Sequence, residues 1–229
     1  MAVSSRVSTR KTVEKALRIP TSRRNLKSKD SGLKSDFTRQ RILDSAAVVF
    51  AAKGYTHSRL TDIATEAGSH AGGIYYYFDS RDALVQEVLR IATGKSITSI
   101  NTALDALPKN ATTEDRVRVA TVAQIREILA SDSYIAAFNK IYPQLPEKIK
   151  ARHHPVLHEY FDIWRRIIKQ GQADGDVRSD LDPGIMRLTI AGSIQWATEW
   201  AHAEISSPES LGDQMAAVFY SGISKRKAK

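Results

Sequence analysis

His154 and His158 stand four residues apart with Glu159 beside the second. On a helix this spacing puts two imidazoles on one face, where they could hold a divalent metal ion. The set is not completed. The order is not H-E-x-x-H, no third ligand can be assigned, and Pro155 falls between the histidines. No P-loop, G-x-S-x-G elbow or dinucleotide fingerprint occurs. The absence of cysteine excludes thiolate zinc sites, disulfides and a cysteine nucleophile. A metal-dependent enzyme using His154 and His158 stays as an alternative, but the reading adopted assigns no catalytic residue, no metal and no cofactor.

A more coherent chemistry lies earlier. Ser58, Arg59 and Thr61 cluster at the start of an apolar-periodic segment, and two hydroxyls, a guanidinium and a helix N-terminus all suit phosphate oxygens. The first 36 residues carry ten basic side chains against three acidic ones, which is +7 of the net +9. So charged and aromatic-poor a segment cannot bury enough surface to offset its ordering entropy, so residues 1–35 are expected to be a disordered arm. Such an arm gains affinity for nucleic acid by releasing counterions, without sequence preference. A non-specific nucleic-acid binder acting through the arm is a second alternative.

The elements that position these groups are helical throughout. Ile42, Leu43, Ala46, Val49 and Phe50 recur at three- and four-residue steps, and Gly54 supplies a left-handed stop. Ser58 is expected to cap a short second helix with Leu60, Ile63, Ala64 and Ala67 inward, broken at Gly68. The chain resumes through Ile74 and Phe78, and Ser80 caps a fourth helix carrying Leu84, Val88, Ile91 and Ala92. Helix, tight glycine turn, helix is the corner that lets a second helix enter a major groove while the first braces it.

Residues 36–96 resemble the DNA-binding domain of the TetR family of bacterial transcriptional regulators. The resemblance rests on Arg41-Ile42-Leu43, Ala46-Ala47, Phe50, Gly54-Tyr55, Asp62-Ile63-Ala64, Ala67-Gly68, Ile74-Tyr75, Phe78 and Ser80-Arg81. It implies that the helix-turn-helix spans 59–78, that Ser58, Arg59 and Thr61 face phosphates, that Tyr75 and Tyr76 meet bases or backbone, and that Tyr77 and Arg81 hold the flanking phosphates. The head of the recognition helix departs from the family pattern. His70 stands where a hydroxyl cap is usual, and Ala71-Gly72-Gly73 where longer side chains often read bases. Two glycines cost about 1 kcal/mol each in a helix, so specificity is expected to lean on His70, Thr61, Tyr75 and DNA shape.

Residues 97–229 read as a helical ligand-binding and dimerisation domain. Helices are expected from Thr112, from Asp132-Ser133, from about Pro155 to Gln170, and near 183–204 and 208–223, the last two opened by Asp182-Pro183 and Ser207-Pro208. By the resemblance those last two form a homodimer interface with Ile185, Leu188, Gly192, Leu211, Met215 and Phe219. Aromatics concentrate here, and Tyr134, Phe138, Tyr160, Phe161, Trp164, Gln195, Trp196 and Glu199 are the candidate lining of a mostly apolar pocket. The run Gly192–Trp200, after Gly175-Asp176-Val177-Arg178, is similar to acyl-CoA-sensing members of the family.

The expectation is therefore an all-α protein with a three-helix helix-turn-helix domain at 36–96 and an effector and dimerisation domain at 97–229. It would act as a repressor that binds a palindromic operator in double-stranded DNA as a homodimer, released by a small apolar effector, an acyl-CoA or aromatic compound. No 18-residue uncharged run exists to span a bilayer. No apolar segment follows the N-terminal charges as in a secretory signal. A cytoplasmic, nucleoid-associated bacterial protein is expected.

Overall fold

The computed structural model describes residues 23–130, 132–197 and 207–225, with side chains from residue 35 onward. By compactness the chain divides into residues 1–40 and residues 41–229. The described residues form nine α-helices: α1 (Arg23–His57), α2 (Leu60–Glu66), α3 (Ala71–Tyr77), α4 (Arg81–Asp105), α5 (Thr113–Leu129), α6 (Ser133–Ile141), α7 (Glu147–Asp174), α8 (Pro183–Gln195) and α9 (Pro208–Ile223). A 3₁₀ turn, Tyr142–Gln144, joins α6 to α7. Among the described residues there is no strand, only an isolated antiparallel bridge between Val177 and Ser224. None of these helices is long and apolar enough to cross a membrane.

Local chemistry sets the boundaries. Gly54 breaks α1 at φ 73° and ψ 179°, a left-handed turn suited to glycine. Ser80 accepts from the Ala83 amide, Thr112 from Asp115, Asp132 from Tyr134 and Ile135, Asp182 from Ile185 and Ser207 from Ser210, so five helix starts are capped by short polar side chains as the sequence implies. Two boundaries differ from expectation. α1 begins at Arg23, so residues 23–35 of the arm expected to be disordered are helical. α7 begins at Glu147 rather than near Pro155, which sits inside it. Proline there removes one bond, to the carbonyl of Ala151, and the amphipathic stripe through Ile149, His153, Tyr160, Ile163, Trp164 and Ile167 carries the helix across the gap. The part of the last-but-one helix expected beyond 197 lies outside the described residues, as do most of residues 1–35.

Two cores result. The first packs Ile42, Leu43, Ala46, Phe50, Ile63, Ile74 and Phe78 with Leu84, Val85, Val88 and Leu89 of α4, and it also takes in Tyr134, Ile135, Ala137, Ile141, Leu145 and Ile149. The second gathers Ile100, Val117, Ala120 and Ile125 with Tyr160, Trp164, Ile167, Met186, Ile190 and Met215. α4 runs unbroken through the boundary expected at 96 and 97 and contributes to both. α6 and the head of α7, which belong to the C-terminal half by sequence, thus pack into the helix-turn-helix core.

Candidate DNA-binding surface and effector cavity

The turn between α2 and α3 hinges on Gly68, at φ 58°. The Ala67 amide donates to Ile63 O at 2.9 Å and the Ser69 amide to Ala64 O at 2.8 Å, so the turn closes on the end of α2. Inward, α2 sends Ile63 and Ala64 and α3 sends Ile74. Outward, Tyr75 is 57% and Tyr76 80% exposed, while Tyr77 is half-buried with its ring edge-on to Tyr76 at 5.0 Å. Arg59, Thr61 and His70 are exposed. The first turn of α3 is as bare as the sequence suggests. A Cβ at Gly72 would sit 3.5 Å from the His70 ring and one at Gly73 2.9 Å from Ser69 Oγ, so those side chains flank the half-buried Ala71 and the two glycines.

Two residues expected at phosphates are engaged elsewhere. Ser58 is 3% exposed and its hydroxyl donates to Gly54 O at 2.6 Å. It does not cap α2; it closes the break at Gly54, and so enclosed a hydroxyl cannot reach a phosphate. The N-cap is Arg59, whose amide donates to Asp62 Oδ2 at 2.9 Å, with Lys53 3.0 Å from the other carboxylate oxygen. The Arg59 amide first, then Lys53, hold the Asp62 carboxyl below its ordinary range. Arg81 is likewise drawn inward. Its guanidinium lies 4.1 Å over the Tyr55 ring and donates to Tyr55 O, which ties α4 to the end of α1.

In the C-terminal half α4, α5, α6, α7 and α8 border a partly open cavity of about 600 Å³. Of the expected lining, Phe138, Tyr160, Phe161, Gln195 and Trp196 are there. Tyr134 and Trp164 are not. Tyr134 is 5% exposed and donates its hydroxyl to Asp44 at 2.7 Å, in the first core, and Trp164 is wholly buried in the second. Large aromatics fill cores as readily as they line pockets, and composition does not separate the two. Glu199 lies outside the described residues. The sequence reading missed Thr93, Ser96, Gln124 and Asn139; these lie singly on helix faces, and only the fold brings them together.

Several polar groups of the cavity pair across helices. Gln124 Nε2 donates to the Tyr160 hydroxyl and Gln195 Nε2 to Asn139 Oδ1. Thr93 Oγ1 is 2.9 Å from Nε2 of His153, which is 1% exposed, and burial chiefly, with the neighbouring His154 adding to it, pushes that imidazole down to about 4. Behind the wall, burial pushes the Glu127 carboxyl up to about 7, against an opposing hydrogen bond from Ser96.

On α8, Ile185 is 67% and Leu188 54% exposed, and Gly192 is exposed with them. On α9, Leu211 and Phe219 are half-buried, but Met215 is 8% exposed and belongs to the second core, because the face it shares with Gly212 and Ala216 turns inward. The His154 and His158 rings stack at 6.4 Å, and among the described residues no group of three or more possible metal ligands exists.

Residues 42–88 match "Bacterial regulatory proteins, tetR family", and residues 110–223 match "Tetracyclin repressor-like, C-terminal domain". The chain is 32% identical over 167 residues to the HTH-type transcriptional repressor KstR2 of Rhodococcus jostii, covering 71% of this chain and 78% of that one. The chain belongs to the TetR family. It is a helix-turn-helix, DNA-binding transcriptional regulator. This TetR-family chain is also 25% identical over 161 residues to the fatty acid metabolism regulator protein of Bacillus subtilis, covering 69% and 81% of the two chains. Its fold matches the FadR structure from Bacillus subtilis in complex with stearoyl-CoA, with a TM-score of 0.70 at 22% identity, over 80% of this chain and 98% of that one.

Proposed function

We propose that the chain is a repressor that holds a palindromic operator as a homodimer and lets go when an apolar effector enters the 600 Å³ cavity. One observation carries the coupling. Ile135, Phe138 and Tyr142 line the cavity, while Ile135 and its neighbours Tyr134, Ala137 and Ile141 are buried in the helix-turn-helix core. A ligand that displaces α6 must repack that core, and packed cores shift between discrete arrangements rather than deform smoothly.

On the DNA side, Arg59 and Thr61 serve phosphates, and His70, Tyr75 and Tyr76 meet the groove edge with Ala71, Gly72 and Gly73 allowing close backbone approach; Tyr77 supports Tyr76. Ser58 and Arg81 position this surface from inside. Exposed Ile185, Leu188 and Gly192 on α8, with Leu211 and Phe219 at the margin of α9, support pairing with a second copy. Two recognition helices related by a twofold axis then reach half-sites about 34–36 Å apart. The cavity side chains Phe138, Tyr160, Phe161, Gln195 and Trp196 suit an acyl or aromatic body, in keeping with relatives named for fatty acid metabolism and for a bound stearoyl-CoA.

The test is selection of genomic DNA fragments by the full chain, followed by gel shift of the recovered site with stearoyl-CoA or with free coenzyme A. A palindrome is expected, released by the thioester and untouched by free coenzyme A. Recovery of fragments with no common sequence would overturn the proposal.

A further inference from the structure

Among the described residues, the cavity is lined without a single Asp, Glu, Lys or Arg. An ion seated against this lining would find no counter-charge among the described residues, so the lining favours an uncharged part of a ligand. Its polar demand is nevertheless specific. Gln124 is 5% exposed; its Nε2 donates to the Tyr160 hydroxyl, but its Oε1 is buried and accepts from nothing among the described residues. A buried amide oxygen without a donor is costly. The neighbouring hydroxyls do not supply one, since Ser96 is bonded to Glu127 and Thr93 pairs with His153. The side chain belongs to the cavity wall, so a turn of the amide presents its oxygen to a donor held in the cavity.

We infer that the effector places an uncharged hydroxyl group between Gln124 and Tyr160, so that a hydroxylated hydrocarbon, acyl chain or ring, binds more tightly than a plain one. The hydroxyl donates to Gln124 Oε1 and accepts from the Tyr160 O–H. Tyr160 stays a donor throughout, since burial pushes its phenol up to about 12. Thr93 and Ser96, on the cavity side of α4, extend the polar end, while Phe138 and Phe161 offer an apolar surface for the hydrocarbon. This inference rests on the reading of the cavity as the effector site.

Two isomeric probes separate the possibilities. 1-Decanol and 1-methoxynonane contain the same atoms and differ in having or lacking the hydroxyl proton. Titration calorimetry on the full-length protein is expected to show decanol binding about tenfold tighter, the scale of one hydrogen bond to an otherwise orphaned buried acceptor. In Gln124→Met, and separately in Tyr160→Phe, the preference should shrink to about twofold or less. Melting curves accompany both variants, and either one that folds suffices. Equal affinity for the isomers in the unsubstituted protein overturns the hydroxyl assignment, as does a preference that survives both substitutions; binding of the ether without preference leaves the cavity standing as the effector site. Absence of binding by either isomer removes the cavity reading and the hydroxyl together.

Discussion

Gln144 reaches back across 89 residues of sequence to accept hydrogen bonds from the Tyr55 amide at 2.9 Å and the Thr56 amide at 3.3 Å. Its own Nε2 donates to Lys140 O at 2.9 Å, so the end of α6 is pinned to the break in α1 just ahead of the helix-turn-helix. Gly54 makes room, for a Cβ there would lie 2.8 Å from Gln144 Nε2. Gln144→Ala is expected to cost about 1 kcal/mol by chemical denaturation. It should also blunt effector-driven release more than it weakens DNA binding in the absence of effector. Equal losses in both would show that the contact only stabilises.

Tyr76 and Ile74 sit two residues apart on α3 and should behave oppositely. Tyr76→Ala removes a side chain that is 80% exposed, so operator affinity falls about tenfold with little change in melting temperature. Ile74→Ala opens a cavity at a side chain 1% exposed and costs about 2–5 kcal/mol. Replacing Arg59 by Ala should lower the slope of log affinity against log salt by about one, because one phosphate contact is lost. Anisotropy titrations at several salt concentrations check both claims.

At Gly212 α9 crosses α5 closely. An added Cβ would lie 2.8 Å from Val122 Cα, a backbone atom that cannot swing aside. Gly212→Ala should destabilise by about 1–3 kcal/mol. The ion pairs flanking that crossing, Arg118–Asp213 at 2.9 Å and Arg126–Glu209 at 2.7 Å, are about half exposed, and Arg118→Ala should cost less than about 1 kcal/mol. Denaturation midpoints of the two variants give the comparison.

The pH dependence of stability has two opposed sources. His153 holds its imidazole at about 4 against an ordinary 6.5, mainly through burial. The stability it contributes is full above pH 6.5 and is lost as pH falls towards 4. Glu127, raised by burial to about 7 from 4.5, contributes stability that is full below pH 4.5 and is lost as pH rises through 7. Glu127→Gln should therefore be more stable than the unsubstituted protein at pH 8, by ~1 kcal/mol once solvent screening is allowed for. The gap should close by pH 4.5, which melting curves across that range would reveal.

The sequence made the helix-turn-helix legible because its signals are local. Gly54, Gly68 and the Ser80 cap act within a turn of themselves, and the inward stripe from Ile42 to Phe50 repeats at helical spacing. What it concealed depends on distant partners. Ser58 reads as a cap, yet its hydroxyl is drawn back to Gly54 O; Arg81 reads as a phosphate ligand, yet Tyr55 offers it a ring and a carbonyl. Tyr134 and Trp164 carry the same aromatic signal as Tyr160 and Phe161, and only the packing of α6 and α7 decides which face the cavity. Gln124 was invisible for the same reason. A single glutamine on a helix says nothing until a tyrosine on another helix takes one end of its amide.

The most direct test of operator recognition is fluorescence anisotropy of the full chain on a palindrome recovered from genomic selection, against a shuffled duplex of the same composition at physiological salt. Binding to the palindrome at least about 10³-fold tighter, with two chains per duplex, is the predicted result. Equal binding to the shuffled duplex, with affinity tracking salt alone, would contradict it.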